Sequence, residues 1–280
     1  MNSICVIGAG TMGSGIAQTS AQNGFNTLLF DINIEVLEKA KTNINKSLDF
    51  LVTKEKISVA EKETIYKHIK FITNIQDCQA DIIIEAIVEK TEAKVSIFKQ
   101  LAAVNKSDVI FASNTSSLSI SDIQTKLQNP QRVVGMHFFN PAQVMKLVEV
   151  VKGKQTDNKV AQTIYDICLQ MKKTPVMCKD EPGFIVNRVA RHYYLEAMKL
   201  VETGITSIEN VDAIMEASGF KLGPFKLMDL IGNDINLAVS QSLFDVSKQA
   251  VRFTPSPLQI EKVKQGQLGK KTGKGFYSYQ

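Results

Sequence analysis

The 280-residue chain contains no run of about 18 apolar residues, so a membrane-spanning helix is not expected. Its four cysteines, Cys5, Cys78, Cys168 and Cys178, form no CxxC pair. They lie mostly in apolar stretches and read as buried free thiols. That implies neither a disulfide framework nor a metal site, and it points to a reducing compartment, the cytoplasm. No signal or transit peptide is expected, because strand-like sequence begins at residue 4. The net charge of +5 is spread along the chain rather than blocked. No nucleic-acid motif accompanies it, so neither nucleic acid nor a membrane is a predicted partner, while a basic patch for a polyanionic small molecule stays open. There is no internal repeat and no low-complexity segment. Histidine is scarce, at three residues, which narrows the search for a general base. The 44% hydrophobic content and mean hydropathy of −0.04 describe an ordinary globular chain, long enough for two domains.

What the chain does contain begins at its first strand. Cys5, Val6 and Ile7 form an apolar run, followed by Gly8, Gly10 and Gly13 in GxGxxG spacing, with Thr11 and Met12 between them. A helix-forming stretch comes next, then a second strand, Thr27 to Phe30, closed by Asp31. Gly8 permits a tight turn, Gly10 lets the backbone approach a pyrophosphate, and Gly13 lets helix and strand pack closely. The helix N-terminus offers unpaired N–H groups to the phosphates. Asp31 can accept from both hydroxyls of an adenosine ribose. A 2′-phosphate beside this carboxylate would cost roughly 4 kcal/mol at about 4 Å and an effective dielectric near 20. Ile32 and Asn33 bring no compensating cation. The expected cofactor is therefore NAD rather than NADP.

After Asp31 the pattern predicts a helical hairpin, 34–52 and 58–68, longer than a plain crossover needs. Strands are expected at 81–86, 109–112, 132–137, 144–151 and 174–178. Helices are expected between them at 91–104, 119–127 and 158–171. Alternation of this kind predicts an α/β fold, a Rossmann-type, doubly wound, mostly parallel sheet with a helical hairpin insertion. Ligands of such sheets lie outside the carboxyl ends of the strands. From Glu181-Pro182-Gly183 onward the sequence reads as helix only: 184–201, 207–217, 224–240 and 257–265. The expected domains are 1–183, binding NAD, and 184–280, an all-α C-terminal domain forming the substrate cleft and the dimer contact. The first C-terminal helix is apolar over a wide arc (Phe184, Ile185, Val189, Tyr193, Tyr194, Ala197, Met198, Val201), which makes a homodimer a reasonable expectation.

His68 sits among lysines and His192 beside Arg191; neither position suggests chemistry. His137 ends a strand on the ligand side of the sheet, before the turn-forming Phe138-Phe139-Asn140-Pro141. In 144–151, alternation puts Glu149 on the face of Met145, Leu147 and Val151. A carboxylate there is costly unless paired. A hairpin centred near residue 143 sets His137 opposite Glu149. The acid would then fix the imidazole tautomer and stabilise the imidazolium, leaving the other ring nitrogen for substrate. On these two residues alone, a satisfied core pair without catalysis is an equal alternative; the neighbouring nicotinamide site tips the balance toward chemistry.

With these residues in view, the chain resembles the L-3-hydroxyacyl-CoA dehydrogenases, in particular the stand-alone bacterial 3-hydroxybutyryl-CoA dehydrogenases. The likeness runs nearly end to end. It is carried by VIGAGTMGSGIA (6–17), IEAIVEK (84–90), FASNTSSLSI (111–120), GMHFFNPAQVMKLVEVV (135–151), KDEPGFIVNR (179–188), LGPFKLMDLIG (222–232) and GKKTGKGFYSY (269–279). The resemblance implies His137 as base and Glu149 as its partner. It implies Ser116 on the substrate oxygen near the nicotinamide, Asn187 at the substrate carbonyl, and Asn140 beside both ligands. It further implies Ala86, Glu89, Lys94 and Asn114 at NAD, together with the glycine turn 8–13. The helical hairpin becomes the coenzyme A contact, with Lys54 and Lys56 meeting its phosphates, although its mixed charges carry no sharp motif. Lys226 stands where related chains often have an acid, and Gly232-Asn233-Asp234 replaces a more apolar turn.

The implied reaction is reversible, NAD-dependent oxidation of a short-chain L-3-hydroxyacyl-CoA to the 3-ketoacyl-CoA. Two other readings remain. One is a related two-domain hydroxyacid or gulonate-type dehydrogenase, although relatives of 6-phosphogluconate dehydrogenase rely on a lysine rather than a strand-end histidine. The other is a non-enzymatic, crystallin-like NAD-binding protein.

Overall fold

The structure is a computed structural model that describes residues 2–279. The chain divides into two compact units, Met1–Glu181 and Pro182–Gln280. In the first, apolar runs alternate with amphipathic helices and build β1 (Ser3–Ile7), α1 (Thr11–Gln22), β2 (Asn26–Phe30), α2 (Ile34–Thr53), α3 (Val59–Lys67) and β3 (Ile69–Ile72). There follow β4 (Ile82–Glu85), α4 (Thr91–Val104), β5 (Ile110–Ser113), α5 (Ile120–Gln124), β6 (Val133–Phe138), β7 (Leu147–Lys152), α6 (Asn158–Gln170) and β8 (Thr174–Lys179). The strands make one eight-stranded sheet in the order β3-β2-β1-β4-β5-β6-β7-β8. Every neighbouring pair is parallel except β6 and β7. This is a Rossmann-type, doubly wound sheet with helices over its faces.

The central strands are apolar on both sides because both sides are covered. Ile4, Val6, Ile82, Ile84, Ala112, Val134 and Met136 all lie in the core. Over them α2 turns Leu37, Ala40, Ile44 and Leu48, a helical 3-4-4 spacing. The hairpin partner α3 starts at a capping box, in which the Ser58 hydroxyl accepts from Glu61 N–H and the Glu61 carboxylate from Ser58 N–H.

The sheet departs from the expected pattern in two places. The short edge strand β3 follows α3 directly, and four residues of alternation are too few to mark it in the sequence. The strand expected from residue 144 starts at Leu147, because Val144 and Met145 donate their N–H groups to Pro141 O and belong to the turn. This turn holds a cis peptide at Asn140-Pro141.

The second unit is helical: α7 (Val186–Glu202), α8 (Ile208–Ala217), α9 (Pro224–Ile231), α10 (Asn233–Val246) and α11 (Pro257–Lys264). The single helix expected over 224–240 is two helices. They part at Gly232, whose φ of +106° is open to glycine and strained for other residues. Its core joins Tyr194, Ala197 and Met198 of α7 to Val211, Phe225 and Met228. Arg191 is buried there too and donates to Asn236 O and Ser240 Oγ. The C-terminal segment is fixed by two buried aspartates. Asp229 accepts from Phe276 N–H, Tyr277 N–H, Tyr279 OH and Asn233 Nδ2. Asp212 accepts from Phe225 N–H, Lys226 N–H and Tyr277 OH. No helix among the described residues is long and apolar enough to cross a membrane.

Candidate functional site

The glycine turn joins β1 to α1 at the carboxyl end of the sheet. A Cβ on Gly13 would lie 1.7 Å from Gly8 O, so only glycine permits this helix to approach this closely. Around Gly10 an added Cβ meets nothing within 4 Å, which leaves open space beside the backbone at the start of α1. Gly8 donates to Phe30 O, and Ala86 to Ile7 O, tying the turn to strands on both sides. Asp31 braces it as well: Oδ2 accepts from Ala9 N–H at 2.8 Å and Oδ1 from Asn33 N–H at 2.9 Å. Each oxygen keeps a further lone pair for a ribose hydroxyl. These features fit a dinucleotide: a helix N-terminus with an open backbone approach, and an acid at the end of the next strand.

Beyond β4 lies a charged network that sequence reasoning grasped only in part. Glu85, the last residue of the Ile-Ile-Ile-Glu strand, is fully buried. Its Oε1 accepts from the buried Lys94 ammonium at 2.7 Å and from Ile87 N–H at 2.7 Å, and its Oε2 from Ser113 Oγ at 2.7 Å. Lys94 also pairs with Glu89 at 3.2 Å. Glu89 Oε1 then accepts from the loop after β5: Thr115 Oγ1 at 2.6 Å, Ser116 N–H at 2.9 Å and Ser117 N–H at 3.2 Å. Burial pushes the Glu89 carboxyl up, but Lys94, the Thr115 hydroxyl and the Ser116 N–H outweigh it and hold the group below its ordinary range. The loop that carries Ser116 is thus held by an acid. An acid ending an apolar strand was the available signal for Glu85. Asn114 links the same loop to β6, its Oδ1 accepting from Phe138 N–H at 2.8 Å.

His137 and Glu149 are register partners across the antiparallel β6–β7 pair. Nδ1 of the imidazole lies 2.8 Å from Glu149 Oε2, and both side chains are buried. An ionised Glu149 can only accept, which puts a proton on Nδ1. The Phe139 ring packs 4.5 Å from the imidazole, centroid to centroid. β6 is three strands from β1, about 14 Å at roughly 4.8 Å per strand. Ser116 follows β5, and Asn140 is exposed in the turn after β6.

The two hairpin lysines go different ways. Lys54 stands over the Phe50 ring, whereas Lys56 lines a cavity beside α3. A second cavity of about 360 Å³ runs between α1 and α2 from Gly10 and Thr11 past Asn43 to Ser47. Asn187 lies in the first turn of α7 in the second unit. His192 packs against Phe253, with 5.4 Å between ring centroids. All four cysteines are free. Burial pushes the Cys168 thiol up to about 12, and burial with the nearby Glu149 and Asp180 charges does the same for Cys178. Neither is a nucleophile at neutral pH. Among the described residues no cluster of three or more His, Cys, Asp or Glu is arranged to hold a metal ion.

Residues 3–181 match the family model described as 3-hydroxyacyl-CoA dehydrogenase, NAD binding domain; residues 183–279 match that described as 3-hydroxyacyl-CoA dehydrogenase, C-terminal domain. The chain is 44% identical to 3-hydroxyadipyl-CoA dehydrogenase of Escherichia coli, over 100% of its own length and 59% of that protein's. It is 41% identical to a probable 3-hydroxybutyryl-CoA dehydrogenase of Deinococcus radiodurans, over 98% of this chain and 99% of the relative. The crystal structure of (S)-3-hydroxybutyryl-CoA dehydrogenase from Ralstonia eutropha superposes with a TM-score of 0.96 at 38% identity, covering 100% of this chain and 99% of that one.

Proposed function

Because the chain belongs to the 3-hydroxyacyl-CoA dehydrogenase family, with an NAD-binding domain as its first unit, we propose that it interconverts a short-chain L-3-hydroxyacyl-CoA, such as 3-hydroxybutyryl-CoA, and its 3-keto thioester. The observation that carries this reading is the buried His137–Glu149 pair at the carboxyl end of β6. Bound NAD supplies the redox chemistry, exchanging a hydride with C3 of the thioester. His137 does the proton chemistry at Nε2, taking the C3 hydroxyl proton in oxidation and returning it in reduction. Glu149 keeps Nδ1 protonated and stabilises the imidazolium that results. Ser116 would hold the same substrate oxygen, on the loop fixed by Glu89. Asn187 would engage the substrate carbonyl region.

Gly8, Gly10, Thr11, Met12 and Gly13 would receive the pyrophosphate, and Asp31 the adenosine ribose. Ala86, Glu89, Lys94, Asn114 and Asn140 would complete the cofactor's surroundings, Lys94 by holding Glu85 and Glu89 in place. The span of about three strands between glycine turn and His137 suits a dinucleotide laid across the strand ends. Lys54 and Lys56 are the proposed contacts for the coenzyme A phosphates, and the cleft between α1 and α2 suits its arm. In the second unit Val189, Ile205, Ile214 and Phe220 stand at least half exposed, which supports a homodimer in which a second copy covers apolar surface. The unpaired thiols support a cytoplasmic setting.

The decisive assay follows acetoacetyl-CoA reduction at the NADH absorbance. Turnover with NADH, weak turnover with NADPH and none with the free keto acid acetoacetate is the expected result. Preference for a free acid would transfer the site to a hydroxyacid or gulonate-type reaction, and NAD binding without turnover would leave a non-enzymatic protein. Asp31→Ser should narrow the NAD over NADP preference by at least tenfold.

A further inference from the structure

Two strands separate β6 from β1 in the sheet, yet the turn after β6 touches the helix after β1. Ala142, within that turn, is buried in the core of the first unit. It lies against Gly15, in the second turn of α1. A Cβ on Gly15 would stand 2.6 Å from Gln143 Oε1 and 3.1 Å from Ala142 Cβ. Glycine is a poor residue inside a helix, and this close approach accounts for its place there. One turn along α1, the Thr19 hydroxyl, bonded to Gly15 O at 2.8 Å, also lies 3.4 Å from Ala142 O.

Lys173 holds the turn from another side. Lys172, with a φ of +56°, ends α6 in the left-handed conformation and redirects the chain. The buried Lys173 ammonium then donates to Ala142 O at 2.6 Å and to Met145 O at 2.8 Å. Among the described residues it has no acidic partner within 4.0 Å. A buried cation held by neutral groups is costly, but an ammonium bonds carbonyls more strongly than a neutral donor does. The turn is thus gripped by charge on one side and seated on a helix on the other.

The same turn joins the two strands that carry His137 and Glu149. The start of α1 is the proposed cradle for the cofactor's phosphates. Proton transfer needs heavy atoms within about 3 Å of each other, and a misplacement of roughly 1 Å can cost about 10²-fold in rate. We propose that Lys173 is a positioning residue: by gripping the β6–β7 turn against α1 at Gly15, it sets where the His137 imidazole stands relative to a cofactor anchored at the start of α1. This rests on the dehydrogenase reading above and adds a residue that acts through the hairpin.

Lys173→Met keeps an unbranched side chain and removes the donor. Its kcat for acetoacetyl-CoA reduction should fall at least tenfold, while the Kd for NADH, read by fluorescence, stays within threefold. Unchanged kcat would overturn the proposal, and a raised KM for acetoacetyl-CoA with kcat intact would make Lys173 a substrate contact instead. Gly15→Ala tests the seat without touching the lysine. Gln143 can swing its flexible end away from the new Cβ, whereas Ala142 cannot. The variant should lose kcat, and Gly15→Ala/Ala142→Gly should recover most of it; no loss, or no recovery, would count against the seat. Hydrogen exchange separates the grip from the reaction. Exchange over 139–146 should be faster in Lys173→Met than in wild type, with 11–22 unchanged. Equal exchange removes the grip, and faster exchange with normal kcat reduces it to packing. If wild type reduces no acetoacetyl-CoA while exchange still differs, the grip stands and the proposed activity falls.

Discussion

Glu85 and Glu149 in the first unit are buried against basic side chains, Lys94 and His137. Asp212 and Asp229 in the second are buried just as deeply, yet they accept only N–H and O–H groups and have no cation within ion-pair distance among the described residues. In the second unit the donors are largely backbone N–H groups and tyrosine hydroxyls: Asp229 pins the C-terminal segment, and Asp212 joins the start of α9 to Tyr277. Burial also pushes the Tyr277 and Tyr279 hydroxyls above their ordinary range, with the aspartate bonds adding to it. In the first unit the partners are themselves titratable, and two of the groups stand at strand ends where ligands of this fold bind. Burial of an acid therefore says little about its role until its partner is known.

The largest effect should come from His137→Ala. Loss of a positioned proton carrier costs about 10²–10⁴ in rate, seen as turnover of acetoacetyl-CoA, while NADH affinity stays within a few-fold. Glu149→Gln should follow, with a displaced pH–rate profile. Near-normal turnover in either would make this pair a pin like those of the second unit. Lys94→Met leaves Glu85 and Glu89 without their cation, and removing one partner of a buried pair costs about 3–5 kcal/mol. Denaturant unfolding measures that, and the double variant Glu85→Gln/Lys94→Met should recover much of it.

Asp229→Asn keeps the shape and removes the charge. Hydrogen bonds to charged groups are worth about 1.5–3 kcal/mol, so the cost should appear as faster hydrogen exchange over 269–279 with cofactor binding untouched. A cost as large as that of Lys94→Met would erase the difference between the acids of the two units. The smallest effect is in acid. The Glu89 carboxyl is held below its ordinary 4.5, so it contributes stability above that pH and loses it as pH falls through the lower folded value. Glu89→Gln should be less stable than wild type at pH 7, and the gap should close in acid; a gap independent of pH would mean that the charge is not what matters.

Much of the first unit was legible because glycine spacing and apolar runs carry local information. Gly8, Gly10 and Gly13 mark the turn, and the position of the β6–β7 hairpin puts His137 opposite Glu149. Less legible were features decided by distant neighbours. Lys94 reads as an ordinary charge near a helix start, and only the approach of Glu85 from another strand buries it. Nothing in the local sequence marks Lys173, which is buried only because the turn at Ala142 and Met145 closes on it. Gly232 sits inside an apolar helical pattern, where sequence alone cannot distinguish a tolerated glycine from a break.

The single reversal in the sheet has a further consequence. A parallel neighbour to β6 would need a crossover of a dozen or more residues before its first residue could pair. The antiparallel return needs only the eight residues 139–146 between Phe138 and Leu147, so the contact between imidazole and acid is sequence-local and its loop is short to close. Acid and base thus lie on one short hairpin, whose register alone sets them opposite each other.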